Sequence, residues 1–172
     1  YTAIRQTVGA AYPVMIKINY ADMIDNGFTA DECLWVCGEL EKLGIAAVEI
    51  SGGVPITPES RPIRPVSGEA DEGYFAEPAI ALAAKLSVPI ISVGGYRTPS
   101  MIEHHLNRGN IAAISLCRPL ICEPALANRW ANGDLQKATC ISCNRCFVNP
   151  KHGCPRNKQN KRPNYLKSID LT

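Results

Sequence analysis

The chain has 172 residues, 18 basic and 16 acidic side chains, and a formal net charge of +2. That near-balance excludes nucleic acid or an anionic membrane as a general partner, and no apolar run approaches the ~18 residues of a spanning helix. Apolar content of 46% and charged content of 20% fit a soluble globular domain with a real core. The chain starts at Tyr1 rather than Met, which suggests a piece of a longer polypeptide or a processed one. The lack of a signal-peptide pattern suggests a cytoplasmic setting.

In chain order, "YPVMIKIN" (residues 12–19) is an apolar run and predicts a buried strand. Lys17 interrupts it. Burying that charge unpaired is costly, so Lys17 is expected to point into a polar site or meet a carboxylate. Thr29 to Leu43 predicts a helix, opened by the capping-box pair Thr29 and Glu32 and stopped by Gly44. "AAVEIS" (46–51) predicts a second strand, followed by Gly52-Gly53. The stretch from about Val54 to Glu72 is rich in Pro, Arg, Ser and Glu and predicts a long loop, functional or mobile. A helix with Pro78 in its first turn follows. "VPIISV" (88–93) predicts the third strand and ends at Gly94-Gly95. Thr98 and Pro99 then open a helix, as cap and first residue, and Gly109 ends it. "IAAISL" (111–116) predicts the fourth strand, Pro124 to Trp130 a short helix, and Gly133 closes that region.

Four βα units in succession, with continuous apolar strands, predict an α/β fold with a parallel sheet covered on both faces. Two architectures use this string: a doubly wound open sheet and a (β/α)8 barrel, which needs ~250 residues and eight strands. Four units make half a barrel. In both architectures ligands bind at the C-terminal ends of the strands. There stand Lys17 and Asn19, then Ser51 with Gly52-Gly53, then Gly94-Gly95, then Cys117-Arg118. Glycines let a backbone approach an anion and aim N–H groups at it, and an arginine one strand over adds a planar, multidentate cation. In barrels the last two βα loops commonly hold a phosphate. If these are a barrel's last four strands, Gly94, Gly95, Cys117 and Arg118 fall on those loops. Plainer uses exist for each: a glycine pair also makes a tight turn, and an arginine before proline also sits solvated on the surface.

Four ordered blocks, "YPVMIKIN", "AAVEISGG", "GYFAEPAIALAAKLSVPIISVGGYRTPSMIEHHL" and "AISLCRPLICEPALANRWANGD", resemble consecutive segments of the old yellow enzyme family. This is the group of FMN-dependent NADH:flavin oxidoreductases and their 2,4-dienoyl-CoA-reductase-like relatives. The resemblance covers about Ile4 to Cys154. It implies the C-terminal half of an FMN-binding TIM barrel over residues 1–134, with a Cys-rich segment and basic tail over 135–172. It also implies hydride transfer from NAD(P)H through FMN to an electron-poor alkene or similar acceptor. Lys17 then stands beside the flavin N1–C2=O edge, and Gly94, Gly95, Cys117 and Arg118 around the phosphate. Cys117 departs from the glycine or serine usual at its position. The family's first four βα units, with the groups that polarise substrate, have no counterpart here, so no catalytic acid is named and the isolated fragment is expected to lack full activity.

Eight cysteines remain to be sorted. Cys33, Cys37, Cys117 and Cys122 read as small buried residues. Cys140, Cys143, Cys146 and Cys154 have the spacing C-x2-C-x2-C-x7-C, suited to Zn²⁺ or a [4Fe–4S] cluster. The dienoyl-CoA-reductase-like branch carries such a cluster after its barrel, with longer gaps between its cysteines. Thiols without metal are the other reading. His104 and His105 read as surface or helix-flanking residues, and "RNKQNKRPNYLKSIDLT" as a solvated arm.

Two further readings stay open: a non-catalytic half-barrel that binds phosphate, and a flavodoxin-like phosphate binder with a different strand order. Four parallel strands also leave two bare edges. Self-association, or pairing with the missing N-terminal half, is therefore expected.

Overall fold

Four apolar runs become four parallel strands in a single sheet: β1 Met15–Asn19, β2 Ala47–Ser51, β3 Ile90–Val93 and β4 Ile111–Ser115. The structure is a computed structural model and describes residues 1–148 and 153–156. The basic arm from residue 157 onward lies outside the described residues.

Strand order follows chain order, β1-β2-β3-β4, with every neighbouring pair parallel. A doubly wound sheet reverses its winding at a switch point, and no reversal occurs here. The arc is that of a barrel, as the half-barrel reading expects, and the flavodoxin-like order is excluded. A bulge between Ile90 and Ile91 shifts the β3–β4 register.

The crossovers run through α2 (Ala30–Lys42), α3 (Ala76–Ala83) and α4 (Pro99–Arg108). The capping box at α2 forms in full, with Thr29 and Glu32 exchanging side-chain and backbone bonds. Thr98 stands at the N-cap of α4, but its hydroxyl donates to the Glu72 carboxylate rather than capping the helix. Three helices escaped the sequence reading, α1 (Thr2–Val8), α5 (Arg118–Cys122) and α7 (Arg145–Val148), whereas α6 (Leu126–Ala131) was expected. It is the short helix read at 124–130, displaced slightly.

Period-two alternation sorts the sheet into two faces. Val48, Ile50 and Ile90 are fully buried against Cys33, Cys37, Ala79 and Leu82 of the helices, and Ile16 and Ile18 pack against the same core. The opposite face is different. Register sets Lys17 beside Glu49, Glu49 beside Ile91 and Ile91 beside Ala113. In that row Lys17 and Ala113 are well exposed. Among the described residues only one face of the sheet is covered, contrary to the expectation for continuous apolar strands. The residues that end these strands therefore surround an open concavity.

His105 was expected at the surface with His104. His104 is exposed, but His105 is buried, edge-on to the Tyr96 ring at 5.5 Å with Nδ1 2.8 Å from the Met101 carbonyl oxygen. Among the described residues no helix is long and apolar enough to cross a membrane.

Candidate functional site

A cavity of about 430 Å³ opens at the C-terminal ends of the strands. All four strands contribute: Lys17 and Asn19, Ser51 and Gly53, Val93 and Gly95, then Ser115, Cys117 and Arg118. The sequence reading placed these residues by counting strand ends, and the fold brings them to one wall.

Arg118 is the site's most unusual residue. It opens α5, yet its side chain is only 6% exposed. Nη1 donates to the Arg64 carbonyl at 3.2 Å and to Asn144 Oδ1 at 2.8 Å, and Nη2 donates to the Tyr74 hydroxyl at 3.4 Å. All three partners are neutral. Among the described residues no carboxylate pairs with it. A buried guanidinium without a counter-charge is costly and suits an anionic ligand. The plain reading of a solvated arginine before proline does not hold.

Gly94 and Gly95 lie at φ 142° and 77°, in the region that favours glycine. The room they make is partly for the protein itself. A Cβ on Gly94 would stand 2.9 Å from the Phe75 backbone nitrogen, and one on Gly95 would stand 2.6 Å from Val66 Cγ2. The Gly94 carbonyl accepts the N–H groups of Gly73, at 2.6 Å, and Tyr74, at 3.2 Å. Gly95 lines the cavity, whereas Gly94 is tied to the end of the long loop.

Lys17 meets a carboxylate, as expected, forming an ion pair with Glu49 across the β1–β2 register. Its side chain is 55% exposed, so the charge is on the cavity wall and not buried. Asn19 Nδ2 donates to the Gly53 carbonyl and to Asp22 Oδ1, each at 3.0 Å, which joins the first two strand ends. With the Phe28 backbone N–H, that Asn19 bond holds the Asp22 carboxyl below its ordinary range.

Sequence reasoning missed Tyr74, Arg64 and Asn144. The Arg64 guanidinium carbon sits 5.4 Å from the Tyr74 ring centre and 5.2 Å from that of Phe75. The available signal was the arginine-rich loop itself, since its expected role was functional or mobile. Asn144 and Phe147 come from the Cys-rich segment, so that segment forms part of the cavity wall.

One cysteine reading needs correcting. Cys117, read as buried, is exposed and lines the cavity. Of the four cysteines at metal spacing, Cys143 is exposed, Cys146 half-buried, and Cys140 and Cys154 buried. Among the described residues no three Cys, His, Asp or Glu side chains are arranged to hold a metal ion. Cys122 packs with Cys140 and Cys154 instead, as one apolar cluster flanked by Ile121. Burial pushes the Cys122 thiol up to about 11, with the neighbouring Cys154 and Cys140 adding to the effect.

No family model matches the chain. It is 27% identical over 144 residues to a protein named metal reductase from Desulforamulus reducens, covering 83% of this chain and 21% of that protein. It is 28% identical over 134 residues to a protein named NADH-dependent flavin oxidoreductase from Hypocrea jecorina, covering 73% of this chain and 32% of that one. The solved structure of 2-naphthoyl-CoA reductase in complex with 2-naphthoyl-CoA superposes with a TM-score of 0.71 at 25% identity, over 94% of this chain and 26% of that one. The chain thus spans about a fifth to a third of these relatives. These matches bear out the resemblance read from the four sequence blocks: the chain is homologous to a segment of the NADH:flavin oxidoreductases.

Proposed function

We propose that this chain supplies the phosphate-binding wall of an FMN-dependent NAD(P)H oxidoreductase of the ene-reductase type. The observation that carries the reading is Arg118, a buried cation held by three neutral acceptors at the rim of a cavity it shares with Gly95. A phosphate monoester matches a bidentate guanidinium flanked by backbone N–H groups. Gly95 offers that backbone, and Cys117 places its thiol beside the same contact.

FMN, when bound, supplies the chemistry of accepting hydride from NAD(P)H and passing it to an electron-poor alkene or similar acceptor. This chain's own residues bind and orient. Arg118 is pre-aimed by Asn144 and Tyr74, so it loses little side-chain freedom on binding. Lys17 is the cation available to negative charge on a reduced ring, and Glu49 keeps its position along the strand. No proton donor is assigned to this chain. The sheet edges at β1 and β4 and the uncovered face are the surfaces that further βα units would close, or a second copy would cover. A cytoplasmic setting accords with cysteines crowded at short spacings, which favour thiol or metal chemistry over structural disulfides.

Titrating the chain with FMN and following flavin fluorescence tests the assignment. Binding should weaken at least about tenfold in Arg118→Gln. Equal FMN affinity in the variant and the parent would overturn it. The non-catalytic reading has its own signature: protection by inorganic phosphate with no flavin binding at all. Gel filtration addresses the bare edges, and a clean monomer with a cooperative melt would count against their need for a cover.

A further inference from the structure

A second cavity, of about 480 Å³, opens where the long loop before α3 meets α4. Tyr74 borders both this cavity and the one at the strand ends, but no strand residue lines the second. Most of its charged groups are already committed. The Asp71 carboxylate accepts the Ser67 and Gly68 N–H groups at 2.8 and 3.0 Å, and Glu77 pairs with Arg108. Glu72 serves Thr98, Arg97 and Lys137.

Two groups on its wall remain uncommitted. Arg64 is half-buried, its guanidinium carbon 5.4 Å from the Tyr74 ring centre, and Nη2 donates to the Met23 sulfur at 3.1 Å. Among the described residues no carboxylate pairs with it. The other group is His105, which is only 6% exposed. The Met101 carbonyl oxygen can only accept, so its 2.8 Å contact with Nδ1 places the proton of the neutral ring there and leaves Nε2 a bare lone pair. Nε2 has no hydrogen-bond partner among the described residues. The loop joins the two groups. A Cβ on Gly73 would stand 2.9 Å from His105 Cε1, the ring atom bonded to Nε2, and the next residue, Tyr74, carries Arg64 against its ring.

A guanidinium without counter-charge suits an anion, and a buried imidazole lone pair suits an O–H donor. We propose that this cavity binds a small hydroxy acid, its carboxylate on Arg64 and its hydroxyl donating to His105 Nε2. A simple anion would leave Nε2 unpaired, and a neutral polyol would leave Arg64 uncompensated. Asp71 and Glu77 on the same wall favour a single negative charge over a doubly charged phosphate. The site is separate from the flavin reading and does not depend on it.

The test titrates the full chain, carrying 15N-labelled histidine, with lactate, with propionate, which lacks the hydroxyl, and with 2-propanol, which lacks the carboxylate. Calorimetry gives the affinities, and nitrogen NMR reads the two ring positions of His105. Lactate should bind saturably and move the Nε2 resonance upfield. Propionate should bind at least about threefold more weakly, and 2-propanol should show no saturable binding. Arg64→Gln should weaken lactate at least about tenfold, whereas Arg118→Gln should keep its affinity, which separates this cavity from the strand-end one. The ring resonances are read in the parent chain, so the result does not hang on a substitution at His105 that would disturb α4. Absence of saturable lactate binding would overturn the proposal. So would an Nε2 resonance unmoved at saturation, propionate binding within about threefold of lactate, or an affinity that falls in Arg118→Gln and not in Arg64→Gln.

Discussion

The turns that follow β3 and β4 each bury an arginine, and the two are kept in opposite ways. Arg97 lies against Glu72, whose carboxylate also accepts the backbone N–H groups of Arg97 and Thr98 at 2.8 and 2.9 Å. Arg118 has only a carbonyl, an amide oxygen and a phenol. Exposure does not separate them, at 5% and 6%. The difference lies in the counter-charge: the first arginine has a carboxylate of the protein's own, and the second has none among the described residues. Burial of a charged residue alone therefore identifies neither a structural nor a ligand-binding role; the sign of its neighbours does.

Glu72→Gln should break the comparison hardest. It strands Arg97 without a counter-charge and leaves one neutral acceptor oxygen where two carboxylate oxygens served the start of α4, and breaking a buried pair costs about 3–5 kcal/mol. Urea denaturation measures this, and a loss under about 1 kcal/mol would erase the contrast between the two turns. Next comes Gly94→Ala, which combines a positive φ with a Cβ 2.9 Å from the Phe75 nitrogen. A loss of about 1–3 kcal/mol is expected, again from urea midpoints. Arg118→Met should do far less to the fold. Removing a cation that has no counter-charge should shift stability by less than about 1 kcal/mol in either direction, while FMN binding is lost. A large destabilisation would make Arg118 a framework residue like Arg97.

The smallest effect is one of pH. The backbone N–H groups of Gly68 and Ser67, helped by the Arg97 charge, hold the Asp71 carboxyl below its ordinary range. A lowered folded-state value means the stabilisation is present above the ordinary carboxylate range and is lost as pH falls through the lowered one. The urea midpoint should therefore decline between pH 6 and pH 3, and decline less in Asp71→Asn. An equal decline in the two proteins would remove Asp71 from the account.

The strands, their order of appearance and the residues at their ends could be read in the sequence because apolar runs and glycine stops are local signals. Lys17, by interrupting such a run, showed its need for a polar site or a carboxylate, though not that Glu49 meets it. The partners of the two buried arginines could not be read. Glu72 and Arg97 are 25 residues apart, and Arg118 and Asn144 are 26 apart, so only the fold brings them together. The packing of Cys122, from α5, against Cys140 and Cys154 was equally out of reach of short-range spacing.

The long loop between β2 and α3 is fastened at both ends. Ser60, fully buried, donates to the Val54 carbonyl at 2.8 Å and accepts the Thr57 N–H at 2.9 Å, while Gly73 and Tyr74 hang on the Gly94 carbonyl. Arg64, between those anchors, presents the carbonyl that steadies Arg118. A segment pinned this way behaves as a bracket rather than a flap. Lengthening it near Glu59 would be felt two strands away, as a change in how firmly the cation at the start of α5 is aimed.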